Sequence, residues 1–141
     1  MAYSYLASNG GQIDGRGKNQ AEIMIGADNA DNQILAGSGG SSMWGGNGGA
    51  DTLTGGDGYD EFFYAMGSGA DVIQNAGDND VVNLLGVNLS QITYAEVNYS
   101  SVNLGFVDGG SLSMQSSSAT GFKLEGVTYV ADRSTGGWST K

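Results

Sequence analysis

Four aspartates in the middle of the chain, Asp51, Asp60, Asp71 and Asp80, each follow a glycine-rich turn and precede a short apolar segment. Carboxylates that a fold brings close together repel one another, and a cation bound between them offsets the repulsion. The chain has no Cys and no His, which leaves carboxylate and backbone carbonyl oxygens as ligands. Calcium suits such an all-oxygen ligand set best. The residue types and their spacing therefore predict calcium binding.

The four aspartates belong to a repeat of nine residues. Segments 46–54 (GNGGADTLT) and 55–63 (GGDGYDEFF) align without gaps, with Gly at positions 1 and 4, Asp at position 6 and a large apolar residue at position 8. The same step extends to four more segments, the last two after a slip of two residues: 28–36, 37–45, 66–74 and 75–83. A period held over about fifty residues indicates a solenoid.

Positions 6 and 8 have different predicted roles in the repeat. Position 8 is apolar in all six segments and is expected to point into the core; its residues are Leu35, Trp44, Leu53, Phe62, Ile73 and Val82. Position 6 is Asp in the last four segments, whereas Gln33 and Ser42 occupy it in the first two. Whether the turns of residues 28–45 bind calcium or form a metal-free part of the solenoid is therefore open.

Stacking of the turns explains how the aspartates would meet. The last three residues of each repeat are predicted to form a strand and the first six a tight turn, whose glycines permit left-handed backbone and expose carbonyl oxygens. Two turns make one coil, so each loop stacks on the loop two turns away. This places Asp51 beside Asp71 and Asp60 beside Asp80. We expect about two well-formed calcium sites, with one or two weaker sites where these loops meet the N-terminal turns.

The predicted metal ligands act through carboxylates or backbone carbonyls; they are Gly46, Gly48, Asp51, Gly55, Asp57, Asp60, Gly67, Gly69, Asp71, Asp78 and Asp80. Asp57 is either a ligand or a solvated residue whose carbonyl faces the metal. Asp78 stands at position 4, where its carboxylate could replace or supplement a carbonyl. Asp28 and Asp31 either contribute to a site against loop 46–51 or lie on a solvated face.

Residues 46–83 resemble the nonapeptide repeats of the RTX, or hemolysin-type, calcium-binding family, G-G-x-G-x-D-x-(large apolar)-x. GGDGYDEFF matches this pattern fully, and GNGGADTLT departs from it only at the second Gly. The segment GSGADVIQNAGDNDVVNL looks like the family's closing segment, where repeats give way to a cap. The resemblance implies a parallel β-roll with calcium between stacked turns. It also implies type I secretion through an uncleaved C-terminal signal, as the terminal module of a larger exported protein.

The whole chain is predicted to be all-β. We expect an N-terminal strand or cap segment over 1–27, with a first strand at Ile23–Ile25, an RTX-like β-roll over 28–83, and a β-rich C-terminal cap over 84–141. The resemblance to RTX proteins implies that this cap carries the secretion signal. Alternating residues around tight turns predict two hairpins in the cap: 102–107 with 111–114, and 122–124 with 127–130. No segment has helical periodicity.

The charge balance restricts the partners. The formal net charge is −10, from 15 acidic and 5 basic residues, which disfavours nucleic acid and anionic membranes and suits cations. The start MAYSYLASNGG lacks the basic and apolar parts of a secretory signal. The longest fully apolar run, Phe62–Met66, is too short to span a bilayer, so no membrane insertion is expected. The expected partners are calcium ions and the rest of a larger parent chain, in a secreted or cell-surface location.

Three other interpretations compete with a calcium module. A flexible glycine-rich linker does not explain apolar residues at a nine-residue step. An adhesive or carbohydrate-binding module on the same scaffold would use the aromatic residues of the cap as its contact surface. An enzyme is not expected, because the commonest general base is missing. The four glutamates could hydrolyse glycosides only as a close pair, and nothing in the sequence places two of them together or indicates a pocket.

Overall fold

The computed structural model describes residues 2–5, 10–17, 19–76, 80–97, 101–115, 121–124, 127–132 and 137–140. These residues form fifteen β-strands and one 3₁₀ turn at Leu89–Gln91. The strands are β1 (Ala2–Tyr5), β2 (Gly11–Asp14), β3 (Glu22–Ile25), β4 (Asn32–Leu35), β5 (Ser41–Trp44), β6 (Thr52–Thr54), β7 (Glu61–Ala65), β8 (Ala70–Gln74), β9 (Val81–Leu85), β10 (Ile92–Val97), β11 (Ser101–Phe106), β12 (Ser111–Gln115), β13 (Gly121–Leu124), β14 (Val127–Asp132) and β15 (Gly137–Thr140).

From β1 to β9 the strands alternate between two sheets, so that two consecutive strands make one coil. One sheet has the order β1-β3-β5-β7-β9-β13-β14-β15, and the other has the order β10-β11-β12-β8-β6-β4-β2. From β1 to β9, each strand pairs in parallel with the strand two places along the chain. The chain is therefore a parallel β-solenoid of about four turns, which confirms the predicted fold class.

The core consists of apolar side chains stacked between the two sheets. Inward residues pair along each sheet: Met24, Met43, Phe62 and Val82 in one, and Ile13, Ile34, Leu53, Ile73 and Met114 in the other. All of them are buried. Each large apolar side chain contributes about 1.5–3 kcal/mol when it is fully buried. These stacks make stability a sum over neighbouring coils, as in other solenoids.

The strict nine-residue register is wrong in the N-terminal turns. Ile34 pairs with Leu53 and Met43 pairs with Phe62, so the inward residues lie one position before the predicted Leu35 and Trp44. The cause is coil length, since Ile34 and Leu53 are 19 residues apart (53 − 34) instead of the 18 that two nonapeptides give.

Trp44 consequently lies on the outer face of its sheet rather than in the core. It is half-buried, and its indole N–H donates a hydrogen bond to the Ser68 hydroxyl at 3.2 Å. Leu35 is buried, but it pairs with Thr54 instead of with the core residue Leu53. The predictions for the four later repeats, from Leu53 to Val82, are confirmed.

Antiparallel strands extend both sheets at the C-terminal end. The two predicted hairpins are confirmed as β11 with β12 and β13 with β14. In each hairpin one strand continues the parallel stack, β12 on β8 and β13 on β9. The ring of Tyr64 stacks on that of Phe106 with centroids 4.7 Å apart. The last coil is thereby covered, which protects its strand edges.

The parallel stack begins before residue 28. The predicted first strand, Ile23–Ile25, is part of β3, and β1 and β2 precede it and pair with β3 and β4. Within the described ranges there is no α-helix. Those ranges also contain no helix with the length and apolar character needed to cross a membrane.

Candidate metal centre

Polar residues at or next to the starts of strands β4 to β9 stack in two columns. We name the first the Asp51 column (Asn32, Asp51 and Asp71) and the second the Asp60 column (Ser41, Asp60 and Asp80). In the Asp51 column, the Asp51 amide donates to Asp71 Oδ1 at 3.2 Å. In the Asp60 column, the Asp60 amide donates to Asp80 Oδ1 at 2.9 Å. The predicted stacking of both aspartate pairs is confirmed.

The same kind of hydrogen bond, from a backbone amide to the carboxylate of the next coil, joins each column to the N-terminal coils. The Asn32 amide donates to Asp51 Oδ1 at 2.8 Å, and the Ser41 amide donates to Asp60 Oδ1 at 2.9 Å. Asn32 and Ser41 therefore take the places that the nine-residue register gives to Gln33 and Ser42. The shift by one residue follows from the longer coil described above.

Glycines make room for the inward-pointing carboxylates. A Cβ at Gly45 would collide with the carboxylate of Asp51. A Cβ at Gly55 would lie 3.2 Å from Asp60 Oδ2, closer than most real contacts of a Cβ. Asp51, Asp60 and Asp71 are at most 1 % exposed. Part of the glycine pattern thus serves side-chain packing in addition to turn conformation.

The Asp51 column contains carboxylate oxygens that lack hydrogen-bond donors. In the part of the chain that the structure describes, neither Asp51 Oδ2 nor Asp71 Oδ2, both buried, accepts a hydrogen bond while both carboxyl groups are ionised. Burial raises the pKa of both carboxyl groups, and the charge of Asp51 raises the pKa of Asp71 further. Two buried carboxylates in contact are unfavourable while both are charged. This pair therefore fits a bound cation, which would be held by the two side chains and by loop carbonyls.

The Asp60 column is more completely hydrogen-bonded. Asp60 Oδ1 accepts the Ser41 amide, and Asp60 Oδ2 accepts the Gly56 amide at 2.8 Å. Burial is the largest cause of a raised pKa at Asp60, and the charge of Asp80 adds to it. Asp80 is half-buried. Hydrogen-bond donors of the protein thus satisfy the carboxylate of Asp60 more completely than those of Asp51 and Asp71.

The predicted glycine ligands lie in loops that stack on one another. Gly46, Gly48, Gly67 and Gly69 have positive φ angles, as the turn prediction requires, whereas Gly55 is buried and is not among the residues with positive φ. The Gly48 amide donates to the Gly67 carbonyl at 2.6 Å. Loops 46–50 and 67–69 therefore stack directly on one another.

Of the remaining predicted acidic ligands, Asp57 lies outside the two columns. The side chain of Asp57 is exposed, and Asp78 falls outside the described residues. Asp28 and Asp31 are exposed, yet they accept hydrogen bonds from the amides of Asn47 and Ala50, at 3.0 and 2.8 Å. They contact loop 46–51 by binding its backbone.

Asn32 is the site residue that sequence reasoning missed. It is 4 % exposed, and four oxygens lie within hydrogen-bond distance of its side-chain NH₂ group: Ala27 O at 3.0 Å, Ala30 O at 3.1 Å, Gly45 O at 2.8 Å and Asp51 Oδ1 at 2.8 Å. Its Oδ1 accepts the Ala27 amide at 3.1 Å. A register set by Ile34 and Leu53, one residue off the nonapeptide step, would have aligned Asn32 with Asp51.

Two glutamates line one groove, which nothing in the sequence indicates. Glu22 and Glu61 border this groove of about 300 Å³ together with Tyr59 and residues 39–41. Glu22 is buried, while Glu61 is half-buried and Tyr59 is exposed. Glu22 in β3 and Glu61 in β7 reach the same groove because β3, β5 and β7 are adjacent strands.

Across the described part of the chain, no three acidic side chains are grouped in a way that could hold a metal ion. A metal in either column would therefore need backbone carbonyls, the donor set that the glycine-rich loops supply. No protein-family model matches this chain, and no curated protein sequence matches it. Its function must be inferred from the two columns themselves.

Proposed function

We propose that this chain is a calcium-binding structural module that folds when it binds Ca²⁺ outside the cell, as the C-terminal part of a larger secreted protein. The observation that supports the proposal most is the buried contact of Asp51 with Asp71, in which one oxygen of each carboxylate lacks a donor. A bound cation would satisfy both oxygens and remove the repulsion between the charges.

The chemistry of the ligands favours calcium over other cations. The columns offer carboxylate and carbonyl oxygens, and calcium accepts six to eight such ligands in flexible geometry. Magnesium requires a smaller octahedral site and gives up its waters reluctantly. We assign the stronger site to the Asp51 column. The weaker site belongs to the Asp60 column, because protein donors already bind both oxygens of Asp60.

Binding would be converted into folding by linkage. With a net charge of −10, the metal-free chain resists collapse. Two calcium ions change that charge to −6 (−10 + 2 × 2), and ligands that bind only the folded state stabilise it. Extracellular calcium modules have dissociation constants of about 10⁻⁴–10⁻³ M. The chain would thus stay loose where calcium is scarce and fold after export, which agrees with the resemblance to RTX repeats.

Isothermal titration calorimetry of the whole chain tests this proposal. We expect about two calcium ions per chain, with magnesium giving little heat. Asp71→Asn is expected to abolish the stronger site, and Asp57→Asn, at an exposed loop position, serves as the matched control. Absence of calcium binding by the natural chain would refute the proposal, as would equal binding by the natural chain and Asp71→Asn.

One observation favours a second function, that of an adhesive or carbohydrate-binding module. The outer face of the eight-stranded sheet carries an apolar groove of about 300 Å³ lined by Trp44, Phe63 and Leu85, among others. In the cap, Tyr94 is 51 % exposed. Aromatic faces of this kind can stack on sugar rings. A glycan array separates the two functions, because a purely structural module gives no specific hit, whereas a glycan binder gives hits that Trp44→Ala or Tyr94→Ala weakens.

A further inference from the structure

We infer that Asn32 takes the place of a metal ion in the first turn of the Asp51 column, and so determines where along the roll the requirement for metal begins. The inference rests on the proposed function for the role of calcium in the later turns. Its own evidence is the bonding of one side chain. The inference requires no metal ion in the N-terminal coils.

The oxygens around Asn32 outnumber the hydrogens that it can donate. A side-chain amide has two N–H hydrogens, yet four oxygens lie 2.8–3.1 Å from its nitrogen. Three are backbone carbonyls from two neighbouring turns, and the fourth belongs to the carboxylate of Asp51. Convergence of more acceptors than donors on one point is the arrangement that a cation requires.

The next turn of the column has the same backbone hydrogen bond but carries a carboxylate in place of the side-chain amide. Asp51 stands where Asn32 stands one coil earlier, and Asp71 stands in the place of Asp51. A carboxylate has no hydrogens to give, and Asp51 Oδ2 and Asp71 Oδ2 are left without donors. Exchange of an NH₂ group for an oxygen thus replaces a turn that has two side-chain hydrogens for its oxygens by a turn that has none while both carboxyl groups are ionised.

This difference sets an order of assembly. The two coils from β2 to β5 are completed by Asn32 without metal, and they also supply two donors to Asp51 Oδ1, from the Asn32 amide and side chain. Neighbouring coils of a solenoid stabilise one another. The N-terminal coils therefore act as a preformed template, onto which β6 and β8 are added when metal binds between Asp51 and Asp71.

The test compares two variants of the full chain, Asn32→Asp and Asn32→Ala, by thermal unfolding in chelator and in saturating calcium. Both remove the NH₂ group, so both are expected to lower the Tm in chelator. Calcium is expected to restore the Tm of Asn32→Asp alone, and calorimetry is expected to find one calcium ion more in Asn32→Asp than in the natural chain. Equal calcium responses of the two variants would overturn the inference.

The outcome is separable from that of the proposed function. Calcium rescue of Asn32→Asp in a protein whose natural form binds no calcium would support the inference and refute the proposed function. Binding by the natural chain without any gain in Asn32→Asp would refute the inference alone. Hydrogen exchange of the natural chain in chelator gives a second measure: we expect slower exchange in β4 and β5 than in β6 and β8, and uniform exchange would contradict the template.

Discussion

Asn32 and Asp51 occupy equivalent places in consecutive coils and differ by one NH₂ group in place of an oxygen. Both backbone amides bond to the carboxylate of the next coil, so the fold of the turn is the same. Asn32 bonds to protein oxygens through its NH₂ group, whereas Asp51 and Asp71, when both are ionised, keep buried oxygens without donors. We therefore propose that the side chain at this position, rather than the loop conformation, decides whether a turn needs a cation.

The largest loss of stability is expected from a substitution in the core, which is built in the same way beside both kinds of turn. Leu53 is 1 % exposed and lies between Ile34 and Ile73 in its stack. Leu53→Ala should lower the free energy of unfolding by about 2–5 kcal/mol, because it removes buried methyl groups and leaves a cavity. Chemical denaturation in chelator and in calcium measures it. A loss that calcium abolishes would show that this position belongs to the metal site.

A smaller effect is expected from making the two turns identical. Asp51→Asn gives the central turn the side chain of the first turn, with an NH₂ group that can donate to Asp71 Oδ1. We expect the stability in chelator to rise by about 1–3 kcal/mol, the cost of an unsatisfied buried group, and the stabilisation by calcium to fall. Asp51→Ala is the matched control, which removes the charge without adding a donor. Retention of the full calcium response in Asp51→Asn would contradict the proposed difference between the turns of Asn32 and Asp51.

The pH dependence of the metal-free chain should distinguish the same two turns. Because burial raises the pKa of Asp51 and Asp71 above 3.8, the folded state holds protons that the unfolded chain releases. The stability from these protons is complete below about pH 4 and is lost as the pH rises through the raised pKa values. The Tm in chelator should therefore fall from acidic to neutral pH. A double variant, Asp51→Asn with Asp71→Asn, should show a shallower fall, and an equal fall would contradict the role of this pair.

The smallest effect is expected outside the columns. Asp57 belongs to the same repeat but is exposed, so Asp57→Asn should change the free energy of unfolding by no more than about 0.5 kcal/mol. Its calcium affinity should stay close to that of the natural chain. A large drop in affinity would place the Asp57 carboxylate in the metal site, the alternative that its position in the repeat left open.

The sequence predicts the parallel solenoid and the pairing of Asp51 with Asp71, because a slip of two residues is visible between 63 and 66. It does not reveal Asn32, Ile34 or Met43 as stacking positions. The loops before them contain few fixed features, and adjacent apolar residues such as Met43 and Trp44 fit either register. The sequence also does not reveal that the Asp60 column is more completely hydrogen-bonded than the Asp51 column. That difference depends on the backbone amide of Gly56, and residue types do not show which backbone amides bind a carboxylate.

Thermal unfolding of the natural chain, followed by circular dichroism in excess chelator and in saturating calcium, tests most directly whether a cation completes this fold. A ligand present at one hundred times its dissociation constant stabilises the folded state by about 2.7 kcal/mol per site. We therefore expect a clearly higher Tm and more β-sheet signal in calcium, with little change in magnesium. The same Tm in chelator and in calcium would contradict the claim that Asp51 and Asp71 are held together by a metal ion.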